Sequence, residues 1–87
     1  MALTLLIADD HKIVRDGLRV LFERAPGHQV LAEAADGHTA VQLALQHRPN
    51  IVVMDMAMPN LNGIEATRHL RTAGFGGGIV MLSMHSE

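Results

Sequence analysis

Leu3-Thr4-Leu5-Leu6-Ile7-Ala8 runs, apolar but for Thr4, straight into Asp9-Asp10, and Ile51-Val52-Val53-Met54 runs in the same way into Asp55. Neither run alternates, which suits strands buried on both faces, as in a parallel sheet covered by helices on both sides. A third run, Ile79-Val80-Met81-Leu82, closes on Ser83. The tails of parallel strands converge on one edge of the sheet. Three aspartates and a serine are therefore expected to meet there.

Outward from these runs the period changes. Val14, Leu18, Leu21 and Phe22 recur at helical spacing from Lys12 onward, and Ala25-Pro26-Gly27 stops the helix. Gln29–Ala34 reads as a strand that leaves through the turn signal Asp36-Gly37. Ala40, Val41, Ala44 and Leu45 mark a second helix, broken by Arg48-Pro49-Asn50. Met56–Asn62 reads as a loop, and a third helix runs from about Gly63 to Ala73. Gly74–Gly78 reads as a helix C-cap and connector rather than a phosphate cradle, because a cradle needs its strand before it and its helix after it. The order is β-α-β-α-β-α-β. Connections this long exclude hairpins, so the sheet is expected to be parallel with right-handed crossovers. In such open sheets ligands bind outside the carboxyl ends of the strands where the strand order reverses.

Bulk properties narrow the function classes. Eighty-seven residues make one domain at most. A chain of this size buries only about 60–65% of its unfolded surface. Hydrophobic residues at 48% and charged residues at 18% indicate a packed core and argue against disorder. A net charge of −2 and a pI near 6.3 leave no footprint for nucleic acid. The absence of cysteine excludes disulfides and thiolate metal sites. No apolar run reaches the ~18 residues of a membrane span, and no basic leader precedes Ala2–Ala8, so a soluble, cytoplasmic protein is expected.

Carboxylates gathered at one sheet edge carry a chemical implication. Two of them ~4 Å apart repel by ~4 kcal/mol at an effective dielectric near 20. A hard, oxygen-seeking cation such as Mg2+ relieves that repulsion. One carboxylate is then free to attack a phosphoryl group while the cation neutralises charge on the transferred oxygens. Taken singly, each aspartate has a plainer role as a turn former, and Asp10 is placed to cap the first helix. The six histidines show no zinc spacing. His28, His38, His47 and His69 read as surface residues, and His11 as a residue at the rim of the acidic site. Met54, Met56, Met58 and Met81 read as core and loop packing. Lys12 and the six arginines read as solvated, with Arg68 and Arg71 on an exposed helix flank.

Leu6-Ile7-Ala8-Asp9-Asp10-His11 followed by Val14-Arg15-Asp16-Gly17-Leu18 resembles the start of a response-regulator receiver domain. Ala35-Asp36-Gly37 and Arg48-Pro49 fall where that family has them. Val52-Val53-Met54-Asp55-Met56-Ala57-Met58-Pro59, continuing to Asn62-Gly63-Ile64-Glu65-Ala66, resembles its phosphoacceptor strand and loop. The Asp-Asp-His start and the Gly-Ile-Glu-Ala-Thr stretch look most like the NarL/LuxR type. The resemblance implies a flavodoxin-like doubly wound sheet of order 2-1-3-4. Asp55 would be the phosphorylated residue, with a histidine kinase or a small-molecule phosphodonor as its source. Asp10 would bind Mg2+ directly and Asp9 mostly through water, and Ala57 would offer its backbone carbonyl. Ser83 would be the switch hydroxyl.

The family pattern continues past these residues with a fourth helix, a fifth strand ending in lysine, and a fifth helix. None of these falls within the 87 residues, whose only lysine is Lys12. The expectation is that residues 1–87 form the N-terminal part of a single receiver domain, without the DNA-binding output domain of the subfamily. Phosphorylation of this stretch alone is expected to be slow or undetectable. Its fourth strand would present an apolar edge that favours homodimers or segment-swapped oligomers. Two other functions fit the same residues. One is a metal-dependent phosphoesterase using Asp9, Asp10, His11 and Asp55. The other is an interaction module that works without phosphorylation.

Overall fold

The computed structural model describes residues 2–82. The elements are β1 (Thr4–Ala8), α1 (Lys12–Glu23), β2 (Gln29–Ala34), α2 (Gly37–His47), β3 (Ile51–Asp55), α3 (Gly63–Thr72) and β4 (Gly78–Leu82). All three strand pairings are parallel, and the sheet order is β2-β1-β3-β4. The expected doubly wound, flavodoxin-like order 2-1-3-4 is therefore the observed one. Ser83 lies outside the described residues.

The unalternating runs are explained by two cores, one on each side of the sheet. Leu6, Ala8, Val52 and Met54 point to one face, where Ala40 and Ala44 of α2 and Ala66 and Leu70 of α3 close over them. Leu5, Ile7 and Val53 point to the other, against Leu18 and Phe22 of α1. Successive strand side chains must take opposite faces, so a strand covered on both sides has no polar position. Small residues on α2 and α3 let those helices lie close to the sheet. Met54 and Met58 are buried and Met81 packs against the same core, as expected of packing methionines.

The α1 face is thinner. No α1 residue is fully buried, and Leu21 is 59% exposed although its spacing placed it in the apolar stripe. The stripe that meets the sheet is narrower: Leu18 and Phe22, each partly buried.

β2 carries one irregularity. Leu5 pairs with Val30 but Leu6 pairs with Ala32, so Leu31 has no partner in the β1 ladder. Val30 faces α1 while Ala32 and Ala34 face the α2 and α3 side. An extra residue in a strand reverses the face of everything after it. Glu33 is thereby turned toward α1.

Helix ends follow their sequence signals. Asp36 caps α2 by accepting from the Thr39 N–H at 2.8 Å, and Asn62 caps α3 by accepting from the Glu65 N–H at 2.9 Å. Gly74, at φ 86°, ends α3 in the left-handed conformation. The Phe75 N–H donates to Leu70 O and the Gly74 N–H to Arg71 O, the paired bonds of a Schellman turn, with Phe75 and Leu70 both in the core. The C-cap reading of this glycine stretch is thus correct, although Gly78 already belongs to β4.

Candidate functional site

Asp9 is the residue after β1 and Asp55 the last residue of β3, and these two strands are neighbours. The chain leaves β1 for β2 on one side and leaves β3 for β4 on the other, so the carboxylates stand where the strand order reverses. Asp10 and His11 occupy the short β1–α1 connection above them. Asp9, Asp10, His11 and Asp55 each offer a ligand atom, and these atoms all lie within 4.8 Å of one another. The three aspartates singled out from the sequence converge.

The main chain of Asp9 is held from both sides. Its N–H donates to Ala34 O at 3.0 Å, continuing the β1–β2 ladder. Its carbonyl accepts from Arg15 Nη1 at 2.7 Å. Arg15 Nε in turn donates to Glu33 Oε1 at 3.1 Å, and Arg19 Nε donates to Glu33 Oε2 at 2.7 Å. Arg15 and Arg19 are therefore not the solvated residues their scatter suggested. Arg71 is not free either, because it donates to the carbonyls of Phe75 and Gly77, both at 2.8 Å.

The Asp9 side chain is fully buried. Its Oδ1 accepts from the His11 N–H at 2.8 Å and lies 2.8 Å from His11 Nδ1. Its Oδ2 is buried and, among the described residues, has no hydrogen-bond partner. His11, not Asp10, is the N-cap residue of α1, and its side chain makes no capping bond. Asp10 is left projecting into the cluster with its Oδ1 3.1 Å from His11 Nδ1. The hydrogen bond that His11 donates to Asp9, followed by the charge of Asp10, holds the His11 imidazole above the ordinary histidine value.

Asp55 is buried, and its Oδ1 accepts from the Ala57 N–H at 3.2 Å. The following turn is anchored on both sides, Met56 N–H to Leu82 O and Gly63 N–H to Met56 O, each at 2.9 Å. A Cβ at Gly63 would stand 2.5 Å from the Asp55 carbonyl oxygen, so only glycine lets α3 start this close to the acidic edge. Lys12 lies apart, paired with Asp16 on the exposed side of α1 at 3.0 Å. Of the other histidines, His38, His47 and His69 are exposed, and His28 accepts from the Leu3 N–H at 3.2 Å.

This donor set suits a hard divalent cation. Three carboxylates share one small space, and a buried carboxylate oxygen without a donor is costly unless a cation neutralises it. Sequence reasoning did not find the Arg15–Glu33 clamp. Its signal, a charged residue inside an apolar strand, was present at Glu33.

Fold and pocket together define an open α/β domain with acidic groups gathered at its switch point. The family model for the response regulator receiver domain matches residues 5–87. Response regulator UvrY of Escherichia coli (strain K12) is 38% identical over 85 residues, which are 98% of this chain and 39% of that protein. The nitrate/nitrite response regulator protein NarL of the same strain is 36% identical over 84 residues, 97% of this chain and 39% of that protein. Among solved structures, a two-component response regulator of the LuxR family from Aurantimonas sp. SI85-9A1 superposes with a TM-score of 0.92 at 45% identity, covering 99% of this chain and 61% of that one. The chain belongs to the response regulator receiver domain family, and its relatives are of the NarL/LuxR type. It spans about 39% of the length of the curated relatives it matches.

Proposed function

We propose that this chain is the phosphoacceptor part of a two-component response regulator, with Asp55 taking the phosphoryl group. The observation that carries this reading is the convergence of Asp9, Asp10 and Asp55 around a buried oxygen of Asp9 that has no partner among the described residues. Residues 1–87 are read as the N-terminal part of a single receiver domain in a cytoplasmic transcriptional regulator, whose output domain would carry any DNA contact. Among the described residues no helix is long and apolar enough to cross a membrane.

Mg2+, held directly by Asp10, Asp55 and the Ala57 carbonyl and mostly through water by Asp9, would neutralise charge on the phosphoryl oxygens during transfer. Asp55 is the nucleophile. Its carboxylate oxygen forms a bond to phosphorus as the bond to the donor breaks, and the donor departs with the electron pair. The donor is a phosphohistidine of a histidine kinase or a small acyl phosphate. The Ala57 N–H on Asp55 Oδ1 orients the carboxylate and leaves Oδ2 for attack. Ser83 would then sense the attached group through its hydroxyl. The chain is modified once and does not turn over, so it is a signalling domain rather than a phosphoesterase. A second reading, self-association without phosphorylation, is favoured by the open apolar groove beside α1.

The phosphoacceptor reading is tested by incubating the chain with Mg2+ and acetyl phosphate and reading its intact mass beside Asp55→Asn. One phosphoryl group, gained slowly by the chain and readily by a form extended through the lysine-bearing fifth strand, and none in the variant is the expected result. A phosphoryl group that persists in the variant overturns the assignment of Asp55.

A further inference from the structure

The acidic pocket holds one group that phosphotransfer does not use. The His11 side chain is 62% exposed, yet its Nδ1 stands 2.8 Å from Asp9 Oδ1 and 3.1 Å from Asp10 Oδ1. Its backbone is pinned by the N–H bond to Asp9 Oδ1, so the ring needs only a side-chain rotation to face the space between the carboxylates. Nothing buried has to move. The crowding of carboxylates is not the only sign of a cation here. Asp9 Oδ2 is a second and independent one, since it is fully buried within the cluster and has no donor among the described residues.

A pocket built of oxygen alone suits Mg2+, which binds few protein ligands and keeps its waters. An imidazole nitrogen within reach changes that ranking. Nitrogen donors add little for Mg2+ but strengthen binding of the later first-row divalent ions, whose affinities already rise toward copper. We propose that His11 joins Asp9, Asp10 and Asp55 as a fourth side-chain donor and makes this pocket prefer ions such as Co2+ or Zn2+ over Mg2+. The inference rests on the cation pocket of the phosphoacceptor reading and deepens it. Within the family frame the carboxylates supply the charge, and His11 sets which metal answers it.

The test is calorimetric titration of the whole chain with Mg2+ and with Co2+ at about pH 8, where ligand protonation competes least. It is run on the wild type, His11→Gln and Asp10→Asn, with folding checked by circular dichroism. Excess Mg2+ is used to displace Co2+, which separates the pocket from the surface histidines. The expected result is that the Co2+-over-Mg2+ preference falls by about tenfold or more in His11→Gln, the scale on which support around a metal changes affinity. Asp10→Asn should weaken both ions. In parallel, Zn2+ should shift the ring signals of His11 in the NMR spectrum. An unchanged preference in His11→Gln, or unshifted His11 signals, overturns the proposal and leaves the carboxylate pocket standing. Failure of both ions to bind the wild type overturns the pocket and the proposal together.

Discussion

Arg15 holds the Asp9 carbonyl and the Glu33 carboxylate at once, through bonds of 2.7 and 3.1 Å, with its own side chain only 17% exposed. Charge-assisted bonds in partly buried positions contribute about 1.5–3 kcal/mol each when broken singly. Arg15→Ala is expected to lower the unfolding free energy by about 1–3 kcal/mol, since Arg19 still satisfies one oxygen of Glu33. It should also weaken Mg2+ binding several-fold, because the Asp9 backbone loses its second anchor. Urea unfolding and a Mg2+ titration check both, and a variant unchanged in both would show the clamp to be idle. At this scale the sequence was partly legible. Asp9, Asp10 and Asp55 could be read because strand tails converge wherever parallel strands do. The clamp could not, because Arg15 and Glu33 meet only after Leu31 has turned Glu33 to the α1 face. His11 was placed at the rim from its position. The two contacts of its Nδ1 depend on how the β1–α1 turn folds.

The helices were legible in extent and less so in their faces. Their starts and stops carry local chemistry: Asp36 and Asn62 as caps, Gly74 in the left-handed turn. Local signals of this kind survive without tertiary knowledge. Leu21 shows the limit, because its helical spacing was right but the sheet beneath α1 reaches only the stripe of Leu18 and Phe22. The α2 cap gives a pH prediction. The Thr39 N–H, followed by the Thr39 hydroxyl, holds the Asp36 carboxyl below the ordinary carboxylate value. A group whose folded value is depressed stabilises the fold above its unfolded value and loses that contribution as pH falls through the folded one. The melting temperature should therefore decline through the acid range, with part of the decline due to Asp36. Asp36→Asn keeps an accepting oxygen but cannot be protonated, so its acid decline should be shallower in thermal melts followed by far-ultraviolet circular dichroism. Curves that run parallel would remove Asp36 from the account.

The two sides of the sheet are unequally covered. On one, α2 and α3 bury Ala44, Ala66 and Leu70 completely, whereas on the other α1 leaves a groove of about 260 Å³ lined by Leu5, Leu18, Phe22, Val53, Val80 and Leu82. β4 is the last strand of the described sheet, and Val80 on it is 48% exposed. Apolar surface beside an unpaired strand edge favours association. The chain is expected to associate with rising concentration in light scattering. Val80→Glu should suppress that association and Asp55→Asn should leave it unchanged; a monomer at all concentrations would count against the groove as a contact surface. The layered architecture was legible because it follows from unalternating strands. The inequality of its layers was not, since apolar spacing in α1 does not reveal how much surface lies opposite. Leu31 has a consequence for chain length. A strand counts in twos, so one added residue is a change of parity for everything downstream. Deleting Leu31 would remove the bulge together with its extra residue and leave Ala32, Glu33 and Ala34 on their present sides, whereas a residue inserted between Ala32 and Glu33 and drawn into the regular ladder would turn Glu33 into the alanine layer and Ala34 toward α1. Loops absorb such edits as slack. Here a single-residue insertion that no bulge absorbs would reach the carboxylate at the centre of the sheet, because the arithmetic of β2 decides which way its one acid points.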